Sequence, residues 1–237
     1  MISITKKHLY HLTIYSDTVS CIDYFRLATY TAFRGKRPFL FQKEKRVTGI
    51  VSLDQSIDDI FQHMKSNYRN EIRKAISMEI SIQQEEDVDA FLRYYNSFAD
   101  KRGLSRITRS NITEYPSYYI TKAIFNDTII SYHAYIVDEE NGIVRLLYSA
   151  SNRLDDNIDT KTIGYGNKYL HYSDFELFKK MGLKEYDFAG ICEDPNDKEK
   201  YGIGQFKKGF GGDIVDTFTY NSPLMSLLLF FKSKFAS

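Results

Sequence analysis

The residue types most capable of chemistry gather in a few short segments. Lys207 and Lys208 sit inside Gly202-Ile203-Gly204-Gln205-Phe206-Lys207-Lys208-Gly209-Phe210-Gly211-Gly212. Either ammonium could bind a phosphate or polarise a reacting carbonyl, and the glycines permit close backbone approach. The competing view is a solvated lysine pair at a helix end. Adjacent residues of a regular element cannot share one direction, so one lysine at most should face a site. The glycine after Lys208 favours Lys207. Arg69 and Arg73 are four apart on a helical stretch and share one face, where with Lys74 they could grip a diphosphate. They could equally complement the dipole of the last helical turn. Asp187 ends an apolar run, where a carboxylate could orient or deprotonate an ammonium, or cap the following turn.

Lys161-Thr162-Ile163-Gly164-Tyr165-Gly166, followed by Asn167, precedes an apolar periodic stretch. Glycines at a helix start can cradle a pyrophosphate on backbone N–H groups, although flexible glycine loops arise easily by chance. Tyr148 and Ser149 end a strand-like run and are candidates to line a substrate. His133, mid-strand, and His171, on a helix beside Tyr169 and Tyr172, read as weaker candidates, because a lone histidine is more often a packed, hydrogen-bonded residue. No Ser/His/Asp or Cys/His arrangement stands out. The five histidines show no ligand spacing with cysteine or acidic partners, and no metal site is expected.

These residues need elements to position them. The first 53 residues alternate short apolar stretches with basic ones and read as strands, with a turn at residues 34–37. Residues 56–77 read as one helix: Ser56 caps it, and Ile57, Ile60, Phe61, Met64, Tyr68, Ile72 and Ala75 form an apolar face. A short strand at residues 80–82 and a second helix over residues 87–101, stopped by Gly103, come next. Residues 118–125, 128–137 and 143–149 form three strand-like runs joined by polar turns, an expected antiparallel meander. A polar loop over residues 151–161, a helix over 166–181, a strand over 183–188, a short glycine-rich helix, a last strand over 214–220 and a terminal helix from Pro223 complete the chain.

The chain has 237 residues, 43% of them hydrophobic, enough for a sizeable core. We expect an N-terminal strand extension over residues 1–53, packed on a domain spanning 54–237. The 32 basic and 31 acidic residues nearly cancel, which gives no reason to expect DNA as a partner. Cys21 and Cys192 stand apart, as in a reducing compartment. No signal segment or membrane span is visible, so a cytoplasmic location is expected. The apolar run of residues 224–231 could touch a membrane surface at the inner face, or pack on the core or in a homodimer; packing is favoured.

Three segments carry a resemblance: residues 67–75 (NYRNEIRKA), 182–190 (GLKEYDFAG) and 202–212 (GIGQFKKGFGG). Together they resemble the Fem family of peptidoglycan aminoacyltransferases and its relatives with a single GNAT-like domain, over roughly residues 55–222. The last segment is the most specific, read as a helix start just after an Asp-Phe-Ala-Gly strand end. The resemblance implies an α/β (α+β) fold with a mixed, largely antiparallel sheet flanked by helices, and transfer of an acyl or aminoacyl group to an amine. It implies that residues 161–166 resemble the Gln/Arg-x-x-Gly-x-Gly/Ala loop that holds coenzyme A, with Lys161 replacing Gln or Arg. Lys161, Gly164, Gly166 and Asn167 then become donor-binding candidates, Asp187 and Lys207 catalytic ones, and Arg69, Arg73, Tyr148, Ser149 and Lys208 substrate-binding ones.

Fem enzymes that build interpeptide bridges usually carry two such domains and often a coiled-coil arm. This chain has length for about one and no heptad arm, which favours a smaller acceptor. The leading expectation is an acyl-coenzyme A-dependent N-acyltransferase acting on an amino sugar, nucleotide-linked, in bacterial surface-glycan synthesis. The alternatives are an aminoacyl-tRNA-dependent transferase of cell-wall synthesis, and a non-catalytic binding module with a GNAT fold.

Overall fold

Short apolar stretches of the first fifty residues pair as strands, and the longer periodic runs beyond them coil into helices. The computed structural model describes residues 1–6, 9–151 and 158–235. Its order is β1 (Ile2–Lys6), β2 (Tyr10–Ile14), a 3-10 turn at Cys21–Tyr24, β3 (Leu27–Thr31), β4 (Gln42–Ser52), α1 (Ile57–His63), α2 (Ser66–Ser77), β5 (Ser81–Gln84), α3 (Val88–Arg102), α4 (Ser110–Thr113), β6 (Tyr118–Phe125), β7 (Thr128–Asp138), β8 (Ile143–Ser151), α5 (Thr160–Lys180), β9 (Glu185–Gly190), α6 (Lys198–Lys208), β10 (Asp213–Asn221) and α7 (Pro223–Phe235).

The chain divides into two compact units. The smaller comprises Met1–Thr48, Glu114–Pro116 and Val215–Ser237. There β1 and β2 pair antiparallel, β2 and β3 parallel, and β3 and β10 antiparallel, around Ala28, Tyr30, Phe33, Phe41 and Tyr220. The sequence placed a boundary after residue 53 and left the C-terminus with the larger part. The contacts instead group the C-terminal strand and helix with the N-terminal strands, because Tyr220 and Asn221 pair with Tyr30 and Thr29. Helix α7 has no buried residue, and Leu227 and Phe230 are about half exposed. Among the described residues no helix is long and apolar enough to cross a membrane.

The larger unit, Gly49–Thr113 with Ser117–Ile214, carries the candidate chemistry. Its strands β5, β6, β7 and β8 pair antiparallel in turn, and β9 lies parallel to β8. Alternation along β7 sends Tyr132 and Ala134 to the α3 side, with Phe91, Tyr95 and Ala99. Tyr135 and Val137 turn the other way, onto Phe175 and Phe178 of α5. A bulge leaves Leu147 of β8 without a partner, between Ala134 opposite Tyr148 and Tyr135 opposite Leu146.

Two expectations change. The helix expected over residues 56–77 is two. Met64 is buried and extended at φ −66° and ψ 152°, which ends α1, and the Lys65 amide then donates to the Gly209 carbonyl 2.9 Å away. The apolar periodicity runs across this break, because Met64 still faces the core. Helix α5 begins six residues earlier than expected, capped by Asp159, whose carboxylate accepts from the Thr162 amide. The expected loop over residues 151–161 lies in part outside the described residues. Other signals hold: Ser56 caps α1 through the Asp59 amide, and Gly103 closes α3 in the left-handed region at φ 64°.

Gly211 is the tightest backbone approach in this region. It has φ +80°, and a Cβ placed on it would lie 2.3 Å from the carbonyl oxygen of His63. Gly211→Ala should therefore cost more than the ~1–2 kcal/mol of a left-handed alanine. A lowered urea midpoint with an unchanged m-value would report it.

Candidate active site

The segment 202–212 is the end of a helix rather than its start. Asp197 caps α6, and the chain leaves the helix at Lys208-Gly209. Phe206 and Phe210, four apart, pack their rings on Tyr68 at 5.8 and 5.1 Å, and the Tyr68 hydroxyl donates to the Phe206 carbonyl at 3.1 Å. That anchor aims the two lysines apart. Lys207 Nζ donates to the Gly190 carbonyl at 2.8 Å and borders a cavity of about 470 Å³. Lys208 Nζ meets Glu193 at 3.2 Å and is not part of the cavity wall. Burial lowers the Lys207 pKa to about 8; the Asp187 charge opposes that shift and the Arg145 charge adds to it.

The cavity lies along β8 past its paired stretch with β9. Their pairing covers only Ile143 to Arg145 against Glu185 to Asp187. Beyond it Leu146, Ser149 and Ser151 line the cavity, with Tyr95 and Phe98 of α3, His171 of α5, and Phe206 of α6. Of the two candidates at the end of β8, Ser149 borders the cavity. Tyr148 instead packs edge-on against Tyr95 at 5.0 Å.

Asp187, the carboxylate expected as base, is buried and does not line the cavity. Oδ2 pairs with Arg145 at 2.5 Å, and Oδ1 accepts from the Ala189 amide at 2.7 Å. The second bond supports Ala189 in the left-handed region at φ 59°, next to the Gly190 whose carbonyl holds Lys207. Asp187 thus shapes the strand end and biases Lys207 electrostatically without facing the cavity.

The glycine segment is not a loop. Gly164, Gly166 and Asn167 are buried inside α5, and Lys161 lies exposed in its first turn. A Cβ on Gly166 would lie 2.3 Å from Cδ1 of Ile130, so this glycine lets the helix approach the sheet. The Asn167 amide meets Ser131 Oγ at 2.6 Å and Nε2 of His133 at 3.1 Å. A backbone cradle for pyrophosphate is not formed at Gly164 and Gly166, whose N–H groups belong to the helix. Arg69 is also occupied: its guanidinium donates to the carbonyls of Gln62 and Met64 where α1 ends. Arg73 is exposed, bonds Asn70 at 3.1 Å and lies over the Phe61 ring. Neither arginine lines the cavity.

Behind the cavity wall the structure assembles a buried polar cluster that spacing did not reveal. His133 Nδ1 lies 2.8 Å from Oδ2 of Asp174, and the Tyr135 hydroxyl reaches the same oxygen at 2.5 Å. Tyr135 and Tyr186 hydroxyls are 2.8 Å apart, and Tyr186 meets Nδ1 of His171 at 2.9 Å. The His133 and His171 rings stack with centroids 4.0 Å apart. Ligand atoms of His133, His171 and Asp174 lie within 4.8 Å of one another, a grouping capable of holding a metal ion. Of these, His133 Nδ1 and Oδ2 of Asp174 lie within hydrogen-bond distance of each other. Asp174 stands three residues after His171 on α5, a helical spacing that was open to notice; His133 joins them only through the sheet.

The deciding comparison is with FemX. Its crystal structure matches 96% of this chain and 84% of its own, with TM-score 0.66 and 12% identity. The fold is GNAT-like. The C-terminal domain (DUF2156) of a putative lysylphosphatidylglycerol synthetase from Agrobacterium fabrum shares this GNAT-like fold over 97% of the chain and 83% of its own, at TM-score 0.61 and 10% identity. L-PGS from Bacillus licheniformis matches over 94% and 80%, at TM-score 0.55 and 12% identity. No family model and no curated protein sequence matches the chain.

Replacing Asp187 by Asn tests the ion pair at the last paired residues of β8 and β9. Asp187→Asn should lower stability by about 1.5–3 kcal/mol, the range for a hydrogen bond to a charged group, read from the denaturant midpoint. It should also move the Lys207 pKa further down, because the charge that raises it is gone.

Proposed function

We propose that this chain is an acyl- or aminoacyltransferase that delivers its group to an amine in the cavity beside Lys207. The carrying observation is the Lys207 ammonium, fixed on the Gly190 carbonyl and facing a cavity that His171 also borders. Attack of an amine on an ester or thioester builds negative charge on the carbonyl oxygen. A fixed cation in a partly desolvated cavity stabilises that charge without reorganising. The GNAT-like fold shared with FemX and the lysylphosphatidylglycerol synthetase domain supports this reaction class, as does the Fem resemblance of residues 202–212.

Two donors remain in play. The glycine segment motivated acyl-coenzyme A, and its burial inside α5 removes that support. The aminoacyl ester of a charged tRNA, implied by the Fem resemblance, becomes the first donor to test, and acyl-coenzyme A the second. For the acceptor we keep an amino sugar carrying phosphate, as in surface-glycan or cell-wall synthesis. Arg102 and Lys200 line the cavity, paired with Glu199 at 3.8 Å and Asp197 at 2.7 Å, and could exchange those partners for such phosphates.

Purified protein is incubated with each donor and with amino-sugar nucleotides, and amide formation is followed by mass spectrometry. Lys207→Met should lower kcat by about 10- to 150-fold, the loss of one charge-assisted contact worth roughly 1.5–3 kcal/mol. Lys208→Met should change it little. Activity should fall as pH rises through about 8, where Lys207 loses its proton, and Lys207→Met should lose that alkaline limb. Binding of acceptor without turnover from either donor would point to the non-catalytic module.

A further inference from the structure

The buried hydrogen bonds behind the cavity have a direction, and it ends at the cavity wall. A carboxylate at Asp174 only accepts. The Tyr135 hydroxyl at 2.5 Å from Oδ2 is at the distance of an O–H to carboxylate bond, so its single proton points there. The Tyr135 oxygen is then an acceptor for the Tyr186 hydroxyl at 2.8 Å. With its own proton spent, Tyr186 can only accept from His171 Nδ1 at 2.9 Å. Burial pushes both phenols well above their usual pKa and the Asp174 charge adds to it, so each keeps the one proton this chain requires. The protonated nitrogen of His171 is therefore Nδ1, and Nε2 carries a lone pair. Among the described residues Nε2 has no hydrogen-bond partner, and the ring borders the cavity that Lys207 also faces.

We propose that His171 is the general base of the transfer, its Nε2 lone pair presented to the cavity by the Tyr186–Tyr135–Asp174 chain. The inference rests on the transferase reading above and replaces Asp187 in the base role. The groups packed against His171 are the His133 ring, Tyr186, Phe188, Phe206 and Phe210, with the Lys207 and Lys168 charges nearby. Burial first, then His133, Lys207 and Lys168, hold its pKa well below the ordinary histidine value. It is thus neutral at neutral pH and suits an acidic proton better than that of a free ammonium. The acceptor amine enters uncharged.

The step balances as follows. The amine nitrogen attacks the donor carbonyl carbon, a C–N bond forms, and the carbonyl π pair moves onto the oxygen beside Lys207. The nitrogen, now positively charged, gives one proton to Nε2 of His171. The oxyanion re-forms the carbonyl as the bond from carbon to the leaving oxygen or sulfur breaks. That leaving anion takes the proton from Nε2, which restores neutral His171. Nothing is oxidised or reduced. Tyr186, Tyr135 and Asp174 act as positioning residues: they hold Nδ1 as donor and stabilise the transient imidazolium.

The first test reads the tautomer in the native full-length chain. Nitrogen-15 NMR of histidine-labelled protein at neutral pH should show His171 protonated at Nδ1 and bare at Nε2; the opposite tautomer overturns the proposal. The second test is kinetic. His171→Ala should lower kcat by about 100-fold or more with the circular dichroism spectrum kept, and added imidazole should restore part of the rate. Tyr186→Phe should lower kcat while leaving KM in place. An undiminished rate in His171→Ala would remove the base role alone. Absence of transfer by the native protein from both charged tRNA and acyl-coenzyme A would remove the transferase reading, and the base role with it.

Discussion

The candidate site depends on an ion pair at the last paired residues of two parallel strands. Strands β8 and β9 are in register for three residue pairs, and the last pair is Arg145 with Asp187. The same two side chains form an ion pair at that point. Past it β8 runs on to Ser149 and Ser151, which line the cavity. A carboxylate and a guanidinium tie the two strands together at that last pair. Asp187 also bonds the Ala189 amide, which turns the chain so that the Gly190 carbonyl meets Lys207. The Arg145–Asp187 pair thus positions an ammonium through three short contacts.

The other wall of the cavity is held from behind. Two histidines, two tyrosines and an aspartate are buried together. Such groups are costly to desolvate unless they bond one another, and a chain of this kind has few ways to satisfy every proton. One Asp174 oxygen is left buried without a partner, so the other accepts from both Tyr135 and His133. The aromatic packing of Phe175, Phe178, Phe188 and Phe210 around these groups excludes water and fixes their rotamers. What results is a rigid polar core whose last member, His171, reaches the cavity from inside.

Helix α1 and helix α2 show the same economy of parts. The break at Met64 lets Lys65 meet the loop after α6, and Arg69 satisfies the carbonyls that the break exposes. Gly209 and Gly211 fit against Tyr68 and His63 where larger residues would collide. The first helix pair therefore seats the lysine-bearing segment. Of the basic residues there, Arg69 serves that joint.

Much of the architecture was legible from local pattern. Three strand-like apolar runs over residues 118–149, separated by polar turn residues, specified the meander. Ser56 and Gly103 marked helix ends through backbone groups that lie within a few residues of them. The segment around Lys207 was marked by its glycines and aromatic pair. Tertiary structure decided what local pattern cannot carry. Whether Gly164 and Gly166 lie in a loop or a helix depended on Asp159 capping the chain earlier and on Ile130 leaving room for no Cβ. Whether Asp187 faces a cavity depended on Arg145, forty-two positions away. His171 looked like an isolated histidine, since Tyr186, Tyr135 and His133 reach it only across paired strands. Local rules act through bonds between near neighbours in the chain. A proton's direction at His171 is set by groups that only the folded sheet brings within hydrogen-bond reach.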